Sequence, residues 1–307
     1  MKIVLLDALT FGQTDLSAFN ALGEVEVHQT TSADQTQSRI TNADVVVTNK
    51  VVITKEFMQN AKSLKLICIA ATGMNNVDLE AAKELNIEVK NVAGYSTDSV
   101  IQHTFSMLFY LLGHSRYYDE VVKDGTYSKS KIFTDVSHPF FEVKGKKWGI
   151  IGLGSIGKGV AKIADAFGAE VVYFSTSGVK REEDYKSVEL QELLKTCDII
   201  TVHAPLNEKT NNLLSYEQLL TCKDGATILN LGRGGIIDEE AVAKVIDEKN
   251  LFFGLDVLTK EPMREDHPLL NIKNSDKLYI TPHIAWTSVE ARDKLIASVI
   301  ENIKETI

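Results

Sequence analysis

Only three cysteines occur in the 307-residue chain, at positions 68, 197 and 222. Their number is odd, their spacing is wide, and each sits among apolar neighbours. That pattern argues against a disulfide framework and for buried thiols in a reducing cytosol, so a cytoplasmic location is expected. No Cys/His cluster has zinc spacing, and no metal is expected. No window approaches the ~18 uninterrupted apolar residues that read as a membrane span. The opening "MKIVLLDALTFG" meets Asp7 before it could act as the apolar core of a signal peptide, and it reads as a strand. There is no cationic excess: the formal net charge is -9, which argues against nonspecific nucleic-acid binding. No single-sign run is long enough to form a tail, and no internal repeat or low-complexity stretch is evident.

What is present is an ordinary globular composition, 44% hydrophobic and 24% charged, in a length that suits two domains. "KIVLLD", "EVEVHQ", "ADVVVTN", "LKLICIAA" and "IEVKNV" read as strands, and "TKEFMQNA" and "VDLEAAKELN" as helices, the second opened by Asp78. Such alternation predicts a parallel sheet faced by helices. "YSTDSVIQHTFSMLFYLLGHSRYYDE" predicts one long helix, apolar on nearly every side and therefore buried, which carries the chain from one domain to the other. From Trp148 a more regular alternation begins. Strands are predicted at 148–152, 170–175, 198–203, 226–231, 252–257 and 278–281, and helices at 156–167, 189–196, 215–220 and 238–249. Six strands in this rhythm fit a doubly wound sheet of two mononucleotide-binding halves. The terminal "SVEARDKLIASVIENIKETI" is an amphipathic helix with no strand to follow, expected to fold back onto the first domain.

Gly152, Gly154 and Gly157 form G-x-G-x-x-G between the strand "WGIIGL" and the helix "IGKGVAKIADAF", the context that a dinucleotide-binding turn needs. The three glycines serve the tight turn, the approach of a pyrophosphate and helix–strand packing. The helix N-terminus offers unpaired N–H groups to the phosphates. One part is missing. Strand two should end on an acid for the adenine ribose, and Ser175 stands there. A carboxylate repels a 2′-phosphate and serine does not. Thr176 and Ser177 add hydroxyls, and Lys180 and Arg181 add cations, so NADP acceptance is expected beside NAD.

Three polar residues follow successive strands: Arg233 after "TILNLG", Glu261 after "FFGLDVL" and His283 after "LYIT". Ligands of an open α/β sheet bind beyond the carboxyl ends of its strands, so all three are expected in the crevice that holds the cofactor. Their chemistry is complementary. His283 moves a proton near neutral pH. Glu261 orients the imidazole and favours its charged form. Arg233 offers a planar fork to a carboxylate and a carbonyl oxygen.

With these residues placed, the chain resembles the D-isomer-specific 2-hydroxyacid dehydrogenases, most closely the glycerate dehydrogenase (hydroxypyruvate reductase) branch. The resemblance runs over nearly the whole chain, through "ATGMNNVDLEAAKELNIEVKNVAGYSTDSVIQHT", "GIIGLGSIGKGVA", "HAPLNEKTNNLL", "LNLGRGGIIDEEAV", "GLDVLTKEP" and "TPHIAWTSVEARDKL". It implies two doubly wound parallel-sheet α/β domains: a smaller flavodoxin-like substrate domain, 1–97 plus 287–307, and a Rossmann NAD(P)-binding domain, 98–286. It makes His283 the acid/base, Glu261 its partner and Arg233 the substrate clamp, with the substrate carboxylate on backbone amides around Ala71, Thr72, Gly73 and Met74, and Trp286 lining the pocket. It places Thr104, Ser155, Ile156, His203, Ala204, Pro205, Thr210, Leu231, Gly232 and Asp256 along the cofactor, Asp256 at the nicotinamide carboxamide. It also implies a homodimer, with "YSKSKIFTDVSHPFF" near the pocket or at the subunit contact. The partner of the enzyme itself is a small 2-oxo or 2-hydroxy acid, and the domains are expected to close over it. Ser175 departs from the family's ribose acid, so strict NAD preference does not carry over. Two alternatives remain: a formate- or phosphite-oxidising enzyme of the same fold, and a dinucleotide-sensing corepressor-like protein without turnover.

Overall fold

The computed structural model describes residues 1–179 and 184–307. The chain divides into two compact units, Met1–Ser96 with Thr287–Ile307, and Thr97–Trp286.

The first unit holds five parallel strands: β1 (Lys2–Leu5), β2 (Glu24–Val27), β3 (Val45–Thr48), β4 (Leu66–Ile69) and β5 (Glu88–Asn91). Their order is β2-β1-β3-β4-β5, the flavodoxin-like arrangement. Val46 of β3 pairs with Val4 on one side and Ile67 on the other. β3 and β4, "VVVT" and "LICI", are buried along their whole length, while the edge strands "EVEV" and "EVKN" are not. Continuous apolar runs mark strands covered on both faces, and mixed ones mark the edges. The helix Val289–Thr306 packs on β4 and buries Leu295, Ile296, Val299 and Ile303, spaced to lie on one face. Asp78 accepts the Ala81 N–H at 3.0 Å and starts the helix Leu79–Glu84.

The second unit holds β6 (Lys147–Ile151), β7 (Glu170–Phe174), β8 (Lys186–Ser187), β9 (Ile199–Val202), β10 (Thr227–Asn230), β11 (Phe252–Leu255) and β12 (Leu278–Ile280). The order β12-β11-β10-β9-β6-β7-β8 is that of a doubly wound nucleotide fold. Six of these strands are the expected ones. The seventh, β8, is a two-residue edge strand paired through Val172–Lys186 and Tyr173–Ser187, too short to show any period in sequence. Trp148 is wholly buried and donates its indole N–H to Thr201 Oγ1 at 3.1 Å, so the apolar centre of this sheet contains no unmet donor there.

The long helix expected from residue 97 onward is two helices, Thr97–Leu112 and Ser115–Lys123. Gly113 and His114 break it, with His114 at φ 47° in the left-handed region. Nor is the first helix buried all round: Gln102 and Ser106 are exposed and Phe109 is 38% exposed, forming an outward stripe.

Candidate active site

The turn after β6 is built for close approach. Gly152 has φ +94°, which disfavours a side chain, and a Cβ at Gly157 would stand 2.3 Å from the Gly152 carbonyl oxygen. A Cβ at Gly154, by contrast, would meet nothing within 4 Å. The turn is therefore packed tightly from below and open above. Gly154 is the N-cap of the helix Ser155–Ala166, whose first turn presents the N–H groups of Ser155, Ile156 and Gly157. An anionic phosphate fits this arrangement.

The wall beside it continues through the exits of β9 and β10. His203 is half-buried, but both ring nitrogens are enclosed and neither has a hydrogen-bond partner among the described residues. Burial pushes its pKa down to about 3, so the ring is neutral at physiological pH. Two bare imidazole nitrogens beside the glycine turn suit a polar ligand better than an apolar core. Ala204 and Leu231 are buried, and Pro205 is exposed. Thr104 and Thr210 are wholly buried, their hydroxyls engaged by the carbonyls of Val100 at 2.8 Å and Pro205 at 2.6 Å. Both brace the walls through these bonds. Past β7, Ser175 Oγ donates to the Val179 carbonyl at 2.8 Å and lies 3.3 Å from Ser177 Oγ, a compact hydroxyl turn that also carries Thr176. Lys180 and Arg181 lie outside the described residues.

The exits of β10, β11 and β12 lie side by side. At β11 and β12 the structure brings the expected pair together: His283 Nδ1 and Glu261 Oε2 are 2.6 Å apart. An ionised carboxylate only accepts, so the shared proton sits on Nδ1 and Nε2 is the nitrogen left for a ligand. The Leu258 N–H steadies Glu261 by donating to Oε1 at 2.9 Å. Glu261 precedes a cis proline, Pro262. His283 is held in the left-handed region, φ 56°, while its N–H donates to the carbonyls of Asp256 and Thr281 at 2.8 and 2.9 Å. Arg233 stands on the β10 exit, with Nη1 donating to the Gly232 carbonyl at 2.8 Å.

Three supporting residues were not foreseen. Asn230, buried at the end of β10, donates to the Arg233 carbonyl at 2.9 Å and accepts the Gly232 N–H at 3.1 Å, closing the turn that carries the guanidinium. Thr281 donates to Asp256 Oδ1 at 2.6 Å, and His103 Nε2 lies 3.8 Å from the same oxygen. A polar residue ending an apolar strand was the available signal for Asn230 and Thr281; His103, on a helix, had none. Asp256 itself is buried and accepts the N–H groups of Ile284 at 2.8 Å and Ala285 at 3.0 Å. Its carboxylate is thus a strut for the turn bearing His283. Trp286, half-buried, ends this unit.

In the first unit, the loop after β4 is tied to the β5 exit: Thr72 Oγ1 donates to the Val92 carbonyl at 3.2 Å, Asn91 Nδ2 donates to the Thr72 carbonyl at 2.7 Å, and the Ala71 carbonyl accepts the Val92 N–H at 3.1 Å. The N–H groups of Thr72, Gly73 and Met74 donate to no protein acceptor among the described residues. Three successive donors at a strand exit can receive a carboxylate.

Residues 105–285 match the family described as "D-isomer specific 2-hydroxyacid dehydrogenase, NAD binding domain". The chain is 36% identical to the hydroxypyruvate reductase of Blautia hydrogenotrophica over 99% of its own length and 96% of that protein's. Among solved structures, an acyclic imino acid reductase in complex with NADPH and D-Arg is 31% identical, with a TM-score of 0.85 over 99% of this chain and 96% of that one. The D-lactate dehydrogenase of Aquifex aeolicus, complexed with NAD and lactic acid, is 26% identical, with a TM-score of 0.85 over 99% and 94%.

Proposed function

This chain belongs to the D-isomer-specific 2-hydroxyacid dehydrogenase family, and on that premise we propose that it interconverts a small 2-oxo acid, of the hydroxypyruvate or glyoxylate kind, with its D-2-hydroxy acid. The observation that carries this reading is the 2.6 Å contact between His283 and Glu261 at neighbouring strand exits of the nucleotide-binding sheet. A nicotinamide dinucleotide, when bound, supplies or accepts the hydride. Gly152, Gly154 and the first turn from Ser155 to Gly157 hold its pyrophosphate, and His203 gives its bare nitrogens to the same ligand. Arg233 receives the substrate's carboxylate and carbonyl oxygens, and the amides of Thr72, Gly73 and Met74 are further carboxylate donors. His283 delivers a proton from Nε2 to the oxygen that becomes the hydroxyl, while Glu261 stabilises the imidazolium that precedes delivery. Positioning contributes most, because hydride transfer needs reacting atoms aligned in a dry site.

The same reading takes NADP(H) as an accepted cofactor. Ser175, Thr176 and Ser177 form a hydroxyl turn where a carboxylate would repel the 2′-phosphate. It takes the enzyme as a cytoplasmic homodimer. Support for the dimer is the exposure of Phe133, Val136 and Phe140, at 90%, 74% and 65%, a surface that a second copy would cover. Support for the cytoplasm is that burial pushes the thiols of Cys68 and Cys222 to about 12 and that of Cys197 to about 11, leaving all three free and inert.

The test is a steady-state panel of hydroxypyruvate, glyoxylate and pyruvate against NADH and NADPH, followed by loss of the reduced-nicotinamide absorbance. Oxidation of neither cofactor with any 2-oxo acid would favour a sensor without turnover.

A further inference from the structure

A second carboxylate–imidazole pair sits close along the chain to the first. Glu239 opens the helix Glu239–Glu248, and His267 precedes the turn Pro268–Leu270. Their side chains are 10% and 8% exposed. The Leu269 N–H donates to His267 Nδ1 at 3.3 Å, which places the ring proton on Nε2. The neutral ring therefore donates from Nε2 to Glu239 Oε2 at 2.9 Å. The other oxygen, Oε1, accepts both the N–H and the hydroxyl of Thr259, at 2.6 and 2.7 Å. Thr259 directly follows Leu258, whose N–H holds Glu261 Oε1 at 2.9 Å, and Glu261 Oε2 meets His283. Two sets of hydrogen bonds, joined covalently through the Leu258–Thr259 peptide link, thus connect the helix start to the imidazole.

We propose that Glu239, fixed by His267, is a positioning residue for the reaction: it clamps Thr259, sets the 258–261 turn and so aims Glu261 at His283. This rests on the reading of His283 as the acid/base.

The site demands an ionised carboxylate. All three contacts of Glu239 come from donors, so it must accept on both oxygens. A glutamine has one oxygen. It could face Thr259 or His267 but not both, and its amide N–H would oppose the remaining donor. The other charged groups around Glu239 are Asp238 and Glu240 on its own helix and Lys260 and Arg264 on the facing loop, which with it line a cavity of about 500 Å³. Asp238 is engaged as the helix cap, accepting from Glu240 and Ala241. Around His283 stand Glu261 and Asp256, with His103 beside Asp256.

The experiment compares Glu239→Gln, Thr259→Val and Thr259→Ser with Glu261→Gln in the full-length enzyme, measuring kcat and KM for hydroxypyruvate reduction across the neutral pH range, cofactor Kd and Tm. Reduction consumes the proton that His283 delivers, so kcat has an alkaline limb, and a change in the Glu261 contact is read there. We expect Glu239→Gln to lower kcat by about ten- to a hundredfold and to shift the alkaline limb in the same direction as Glu261→Gln. Cofactor Kd should stay unchanged. Thr259→Val should act in the same sense more weakly, and Thr259→Ser should restore both readouts; this pair decides the matter if Glu239→Gln does not fold. A lowered Tm with an unmoved limb and kcat would make the pair purely structural and overturn the clamp. Full activity in Glu261→Gln would instead overturn the acid/base reading, and the clamp with it.

Discussion

Glu261 Oε2 and His283 Nδ1 are 2.6 Å apart although 22 residues separate them, because each stands just beyond its own strand on adjacent lines of one sheet. The contact orients the ring and, in the proposed reading, leaves Nε2 for substrate. His283→Ala should therefore reduce turnover by about two to four orders of magnitude, the range for removing a general acid, while cofactor Kd stays within experimental error. Glu261→Gln should retain more activity than His283→Ala. Fluorescence titration with reduced cofactor, beside steady-state rates, checks both; equal loss of cofactor binding would mean a collapsed site rather than a missing proton donor.

Asp256 has a structural role that can be tested apart from chemistry. It accepts two backbone N–H groups and the Thr281 hydroxyl inside the protein. Asn at this position would turn an N–H toward a donor, at a cost of about 1–3 kcal/mol. Asp256→Asn should lower Tm and lower kcat together, since the turn it holds is the one that keeps His283 in the left-handed region. A variant with wild-type Tm would refute the strut.

His203 bears on acid stability. Burial holds its pKa near 3 in the folded chain, against a model-peptide value of 6.5. The unfolded chain takes up a proton near 6.5 and the folded one does not until about 3, so the unfolded state binds more protons between these values. The site carries no penalty above that window, and stability falls progressively as pH drops through it. His203→Phe keeps an aromatic ring and removes the titration. Its Tm should fall less steeply with acidification than that of the wild type, by the slope of one proton; parallel curves would show that His203 titrates normally.

Ser175 governs the choice of dinucleotide in the proposed reading. Ser175→Asp places a carboxylate where a 2′-phosphate would lie. The ratio of kcat/KM for NADPH over NADH should drop at least about tenfold, equivalent to about 1.4 kcal/mol. An unchanged ratio would remove position 175 from cofactor selection.

The parts of this molecule that sequence reveals are those where one residue type meets one backbone demand. Gly152 and Gly157 were legible because a positive φ and a 2.3 Å approach leave little else possible. Glu261 and His283 were legible as a pair because each follows an apolar run that reads as a strand, and Arg233 was legible as far as its place at the β10 exit. β8 was not, since two residues carry no period. The break at Gly113–His114 was not, because apolar spacing continues on either side of it. Glu239 and His103 were invisible for another reason: each looks like an ordinary helix polar residue until the fold sets its partner opposite. Hydrogen bonds between residues tens of positions apart leave no mark on local composition.

Both ends of the chain belong to the first unit, and everything from Thr97 to Trp286 returns to it through a single exit and a single entry. In genetic terms the nucleotide-binding unit is an inserted cassette. Exchanging that segment between relatives would transfer the glycine turn, the Ser175 position and the Glu261–His283 pair in one piece.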